Sequence, residues 1–112
     1  MKTCVSSYSF CSYMKETGTS QKDIIKKAKE LGFEAIEYID LDVPNGMSEA
    51  QFASVLREES EKHSLPIVNY TVSADFLNCD SLEEEIECVC RKVDIAKILG
   101  TAINRHINIM FL

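Results

Sequence analysis

Glu37 carries the clearest chemical signal in the chain, a carboxylate inside the apolar run Ala35 to Ile39 (AIEYI). Strand alternation sets Ala35, Glu37 and Ile39 on one face, so a charge projects from an otherwise apolar surface. Burying a carboxylate is costly unless it is paired or used. Two readings follow: a ligand contact, or a structural ion pair with Arg105 or a lysine. His106 has the imidazole to orient a substrate hydroxyl or bind a metal, or to serve as a hydrogen-bonded structural histidine. Asp75, in SADFLN, suits a sugar hydroxyl or a turn. Tyr8, Phe10 and Phe76 are candidates for an apolar wall beside a ligand, or for core packing. With Asp40, Asn69 and Arg105, these residues fall at the ends of expected strands, and Tyr8, Glu37, Asn69, Asp75 and His106 form the candidate substrate-binding set. No residue is assigned a catalytic or metal-ligating role. His63, near a helix C-terminus, is expected to complement the helix dipole. Cys88 and Cys90, two apart on a helix, point to different sides and are poorly placed to share a metal.

The elements that position these groups alternate. Lys2 to Phe10 reads as a first strand running into a loop from Cys11 to Gly18. Ser20 with Asp23 opens a helix whose apolar stripe is Ile24, Ile25, Ala28 and Leu31, and Gly32 supplies the left-handed turn that ends it. A second strand covers Ala35 to Ile39, and Pro44, Asn45 and Gly46 mark the loop that follows. Ser48 with Gln51 caps a helix carrying Phe52, Ala53 and Leu56, and Pro66 prevents its continuation into a third strand at Ile67 to Thr71. Ser81 with Glu84 caps a long helix to Leu99 with Leu82, Ile86, Val89, Cys90, Val93 and Ala96 on its apolar side. A fourth strand is expected at Ala102 to His106, followed by an apolar tail, residues 107–112. Strands separated by single helices argue for a parallel sheet covered by helices. A repeat of about 30 residues matches a βαβ unit. The pattern suits βαβαβαβ, either an open four-stranded α/β sheet or, as the exposed edge and apolar tail favour, the first half of a (β/α) barrel whose complete form takes about 250 residues. Functional groups are then expected at the carboxyl ends of the strands.

The chain of 112 residues, 46% of them hydrophobic, fits one domain with a modest core. A net charge of -6 opposes binding to nucleic acid or to an anionic membrane surface. Lys22, Lys26, Lys27 and Lys29 share one helix and read as its solvated face. The absence of a secretory signal and of a membrane-spanning run predicts a soluble cytoplasmic protein. Five cysteines with no CxxC pair predict reduced thiols rather than a disulfide framework or a zinc ribbon.

The segments VSSYSF, AKELGFEAIEYIDL, PIVNYTVSADFLN, VDIAKILG and NRH, in that order, together resemble the sugar phosphate isomerase/epimerase family with the xylose-isomerase-like TIM barrel. The resemblance reaches His106. It implies an eight-stranded barrel, a divalent metal (manganese, magnesium or zinc) acting as a Lewis acid, and movement of a proton or hydride between neighbouring carbons of a sugar, sugar phosphate or polyol. In that family the metal-binding Glu, Asp, His and Glu come from the second half of the barrel, so no ligand is carried over and no metal is expected on this chain alone. Glu37 and His106 correspond to first-half positions that shape the pocket. Where the fourth strand of the family tends to read Arg-His-Asp, this chain reads Arg105-His106-Ile107. Two expectations follow: a truncated member, inactive unless completed by another chain, or a catalytically dead half barrel that self-associates or binds ligand. A half barrel exposes strand edges and inner surface, which favours a homodimer or higher oligomer.

Overall fold

The computed structural model describes residues 3–74 and 79–100, together with the backbone of residues 107–111. Three strands, β1 (Cys4–Ser6), β2 (Ala35–Ile39) and β3 (Ile67–Ala74), pair in parallel in chain order. The backbone of β4 (Ile107–Phe111) extends the order to β1-β2-β3-β4, pairing in parallel with Tyr70 to Ala74 of β3. Among the described residues, four α-helices accompany them: α1 (Cys11–Thr17), α2 (Asp23–Glu30), α3 (Glu49–Lys62) and α4 (Leu82–Leu99).

One core joins the helices to one face of the sheet. Ile24 and Ile25 of α2, Phe52 and Leu56 of α3, and Ile95 and Leu99 of α4 pack with Ile36, Tyr38, Tyr70 and Val72 of the strands. Alternation directs Ser6, Glu37, Asn69, Thr71 and Ser73 to the opposite face, and all five are only half-buried. The sheet is therefore apolar toward its helices and polar away from them.

The turns that feed α2 into β2 and α3 into β3 share one geometry. After α2, Gly32 sits at φ 93 and donates its N–H to the Lys29 carbonyl at 3.1 Å, while Phe33 N–H reaches the Ala28 carbonyl at 3.1 Å. After α3, Ser64 sits at φ 53 and donates to Glu61 at 3.2 Å, while Leu65 N–H reaches Ser60 at 2.9 Å. Both are Schellman closures, in which a left-handed residue satisfies carbonyls that the helix leaves open.

Several expectations are corrected. The first strand stops at Ser6, because the Ser6 side chain accepts the Tyr8 N–H and turns the chain into a 3-10 turn, Ser7–Phe10. Cys11 to Thr17 is a helix rather than a loop. It buries no residue fully and has no side-chain cap, so neither periodicity nor a capping pair announces it. The N-cap of α2 is Lys22, with no side-chain cap, rather than Ser20; Ser20 Oγ accepts Asp23 N–H at 3.2 Å in the turn that leads into the helix, and Leu31 is 58% exposed, since Phe33 takes the packing position beyond the closure. Strand β3 runs three residues further than expected, to Ala74. The expected strand at 102–106 lies outside the described residues, and the stretch read as an apolar tail forms β4. In α4 the buried residues are Ile95, Ala96 and Leu99; Leu82, Ile86 and Val93 are exposed.

Candidate functional site

A one-residue irregularity builds the site. Ile36 pairs with Ile67, but Glu37 pairs with Asn69, so Val68 is passed over and an amide stands beside the carboxylate. Asn69 Nδ2 donates to Glu37 Oε2 at 3.2 Å, whereas Asn69 Oδ1 is buried with no partner among the described residues. No ion pair to Glu37 occurs among the described residues, and Arg105 lies outside them. Ser6 is the register partner of Glu37 on β1. Burial pushes the Cys4 thiol above its ordinary pKa, and the Glu37 charge pushes it the same way, which favours the protonated form.

Beyond Glu37 the carboxyl ends of β1 to β3 are tied together. Ser7 Oγ accepts Ile39 N–H at 3.0 Å. Asp40, left-handed at φ 48, donates its N–H to the Thr71 carbonyl at 2.9 Å. Its carboxylate accepts Ser73 N–H at 3.1 Å and the Ser73 hydroxyl at 2.8 Å. Gln21 joins the next layer, donating to the Asp40 carbonyl at 3.2 Å and accepting Asp42 N–H at 2.8 Å. These bonds fix the rim that carries the Glu37–Asn69 pair.

Of the five candidate residues, Glu37 and Asn69 come together. Tyr8 stands on the turn after β1, 71% exposed and without a side-chain hydrogen bond among the described residues. Asp75 and His106 lie outside the described residues, as does Phe76. Phe10 is core, edge-on to Tyr13 at 6.3 Å. His63, the C-cap residue of α3, bonds Glu59 at 2.9 Å. The Asp40–Ser73 clip was missed, because it depends on the extension of β3 past Thr71. A cavity of about 520 Å³ between α1 and the loop after β2, lined by Met14, Lys15, Gln21, Asp42 and Phe52 among others, was missed with α1 itself. It does not include Glu37 or Asn69, which occupy the open sheet face.

Among the described residues, no three His, Cys, Asp or Glu side chains are grouped to hold a metal ion, and no helix is long and apolar enough to cross a membrane. The fold and site define an α/β protein with a parallel sheet, covered on one face and polar on the other. Compared with known proteins, the chain matches no family model, no curated protein and no solved structure.

Proposed function

We propose that this chain supplies the sugar- or polyol-binding wall of a barrel of the sugar phosphate isomerase/epimerase type, its strands forming the first half of a (β/α)8 barrel. Parallel strands in chain order, covered by helices on one side, are what half of such a barrel requires, and the polar face is then its lumen. One observation carries the ligand class. Glu37 and Asn69 Oδ1 are both hydrogen-bond acceptors, and among the described residues the one donor between them is the amide of Asn69 itself. A ligand dense in hydroxyl groups brings the missing donors. Tyr8 flanks the rim in this reading, and Asp75 and His106 follow the ends of β3 and precede β4.

The reaction of such a barrel, a proton or hydride moved between adjacent carbons, needs groups from a second half, and no residue of this chain is given a catalytic role. The divalent metal of such enzymes does not fit the described residues, since Glu37 is joined by an amide rather than by further ligands. No step is derived through it. Five free thiols suit a reducing, cytoplasmic setting. A second reading, an inert self-associating half barrel, is favoured by the exposed apolar side chains of α4.

The test is titration of the purified chain with xylose, xylitol and glucose 6-phosphate, followed by amide NMR shifts. Saturable shifts at β2 and β3 that disappear in Glu37→Gln are expected. Glu37→Gln keeps an acceptor for Asn69, so its stability is expected within about 0.5 kcal/mol of the parent. Absence of saturable shifts with all three compounds, or identical shifts in Glu37→Gln, would overturn the ligand reading.

A further inference from the structure

The helix α4 is 18 residues long, yet its fully buried side chains, Ile95, Ala96 and Leu99, all lie near its C-terminal end. Upstream, Leu82 is 53% exposed, Ile86 48% and Val93 38%, with half-buried Val89 between them. Their spacing of four, three and four residues is the heptad rhythm by which one helix offers a seam to another. Another flank of α4 is already engaged, packed on α3 and tied to it by Lys92 Nζ on Glu49 Oε2 at 2.7 Å. The seam is thus a second stripe, without a partner among the described residues, on a helix anchored elsewhere.

Charge along α4 identifies its occupant. The first half is acidic, with Glu83, Glu84, Glu85 and Glu87, and the second half carries Arg91, Lys92 and Lys97 against the single carboxylate of Asp94. A parallel copy would set the glutamate-rich turn against itself. An antiparallel copy, related by a twofold axis between Ile86 and Val89, sets Leu82 against Val93, Ile86 against Val89, and the acidic turn alongside the Arg91 turn. Helix dipoles also oppose in that arrangement. We infer that α4 docks antiparallel on α4 of a second copy of this chain, through the Leu82–Ile86–Val89–Val93 seam. The interface is isologous and therefore closes at two copies. It lies on the helix side of the sheet, away from Glu37 and Asn69, and does not rest on the ligand reading.

Sedimentation equilibrium of the whole chain over a range of concentrations tests this. The parent chain is expected to show a monomer–dimer equilibrium. Leu82→Glu with Ile86→Glu, both at exposed positions, is expected to remain monomeric with unchanged circular dichroism and unchanged sugar response. Orientation is read by mixing Leu82→Cys and Val93→Cys chains, each in a background with the five native cysteines replaced by serine. Disulfides joining 82 to 93 are expected. A parent chain monomeric throughout, a dimer that survives the double glutamate variant, or cross-links dominated by 82 to 82 would each overturn the inference.

Discussion

Tyr38 and Tyr70 are register partners on β2 and β3, both wholly buried, yet their hydroxyls differ. The Tyr38 hydroxyl donates to the Gln21 carbonyl at 2.6 Å, whereas that of Tyr70 has no partner among the described residues. Removing a made bond costs stability, and removing a buried unsatisfied hydroxyl does not. Tyr38→Phe is expected to lower stability by about 1–2 kcal/mol, leaving the Gln21 carbonyl unpaired. Tyr70→Phe is expected between neutral and about 1 kcal/mol stabilising. Urea denaturation of the two variants measures both, and a loss in Tyr70→Phe equal to that in Tyr38→Phe would show that the Tyr70 hydroxyl is satisfied. The same scale governs what was legible at the site. Glu37 was legible because a charge in a strand breaks its pattern. Its pairing with Asn69 was not, because the skipped residue Val68 leaves no mark in local sequence.

At the scale of elements, the sequence announced every helix that has a strong apolar stripe and a capping residue. The Ser48–Gln51 capping box is formed in both directions, and Ser81 accepts the Glu84 N–H. Helix α1 has neither feature, and its sequence is indistinguishable from a loop. The apolar stripe of α4 is legible in the sequence and its exposure is not, because periodicity reports an apolar face, not what covers it. Comparison of the two closures gives a prediction. Ser64 holds the left-handed position that Gly32 holds after α2, and a side chain there is strained. Ser64→Gly is expected to stabilise by about 0.5–1 kcal/mol, relief of strain exceeding the added freedom of the unfolded chain. Gly32→Ala imposes the opposite change, an expected loss of about 1 kcal/mol, even though a Cβ at Gly32 would meet nothing within 4 Å. Thermal denaturation reads both. A Ser64→Gly variant no more stable than the parent would place a stabilising contact on the Ser64 side chain.

For the whole molecule, the two buried tyrosines sit where sheet and helices meet, so their ionisation and the integrity of the core are one equilibrium. Burial pushes both pKa values well above the ordinary value near 10, with Glu59 acting further on Tyr38 and with Glu49, Asp40 and Cys88 acting on Tyr70. The folded chain therefore keeps these protons at pH values where the unfolded chain has released them. Their contribution is fully present below the unfolded value near 10 and is lost as pH rises toward the folded values. Stability is expected to fall above pH 10, with Tyr38 contributing a slope of about 1.4 kcal/mol per pH unit. Tyr38→Phe removes that share of the slope while lowering stability at neutral pH, so the curves of variant and parent converge as the pH increases. Urea midpoints measured from pH 7 to about 11.5 distinguish the outcomes. Parallel curves would mean that the Tyr38 hydroxyl reaches solvent in the folded chain and that the core does not close over it.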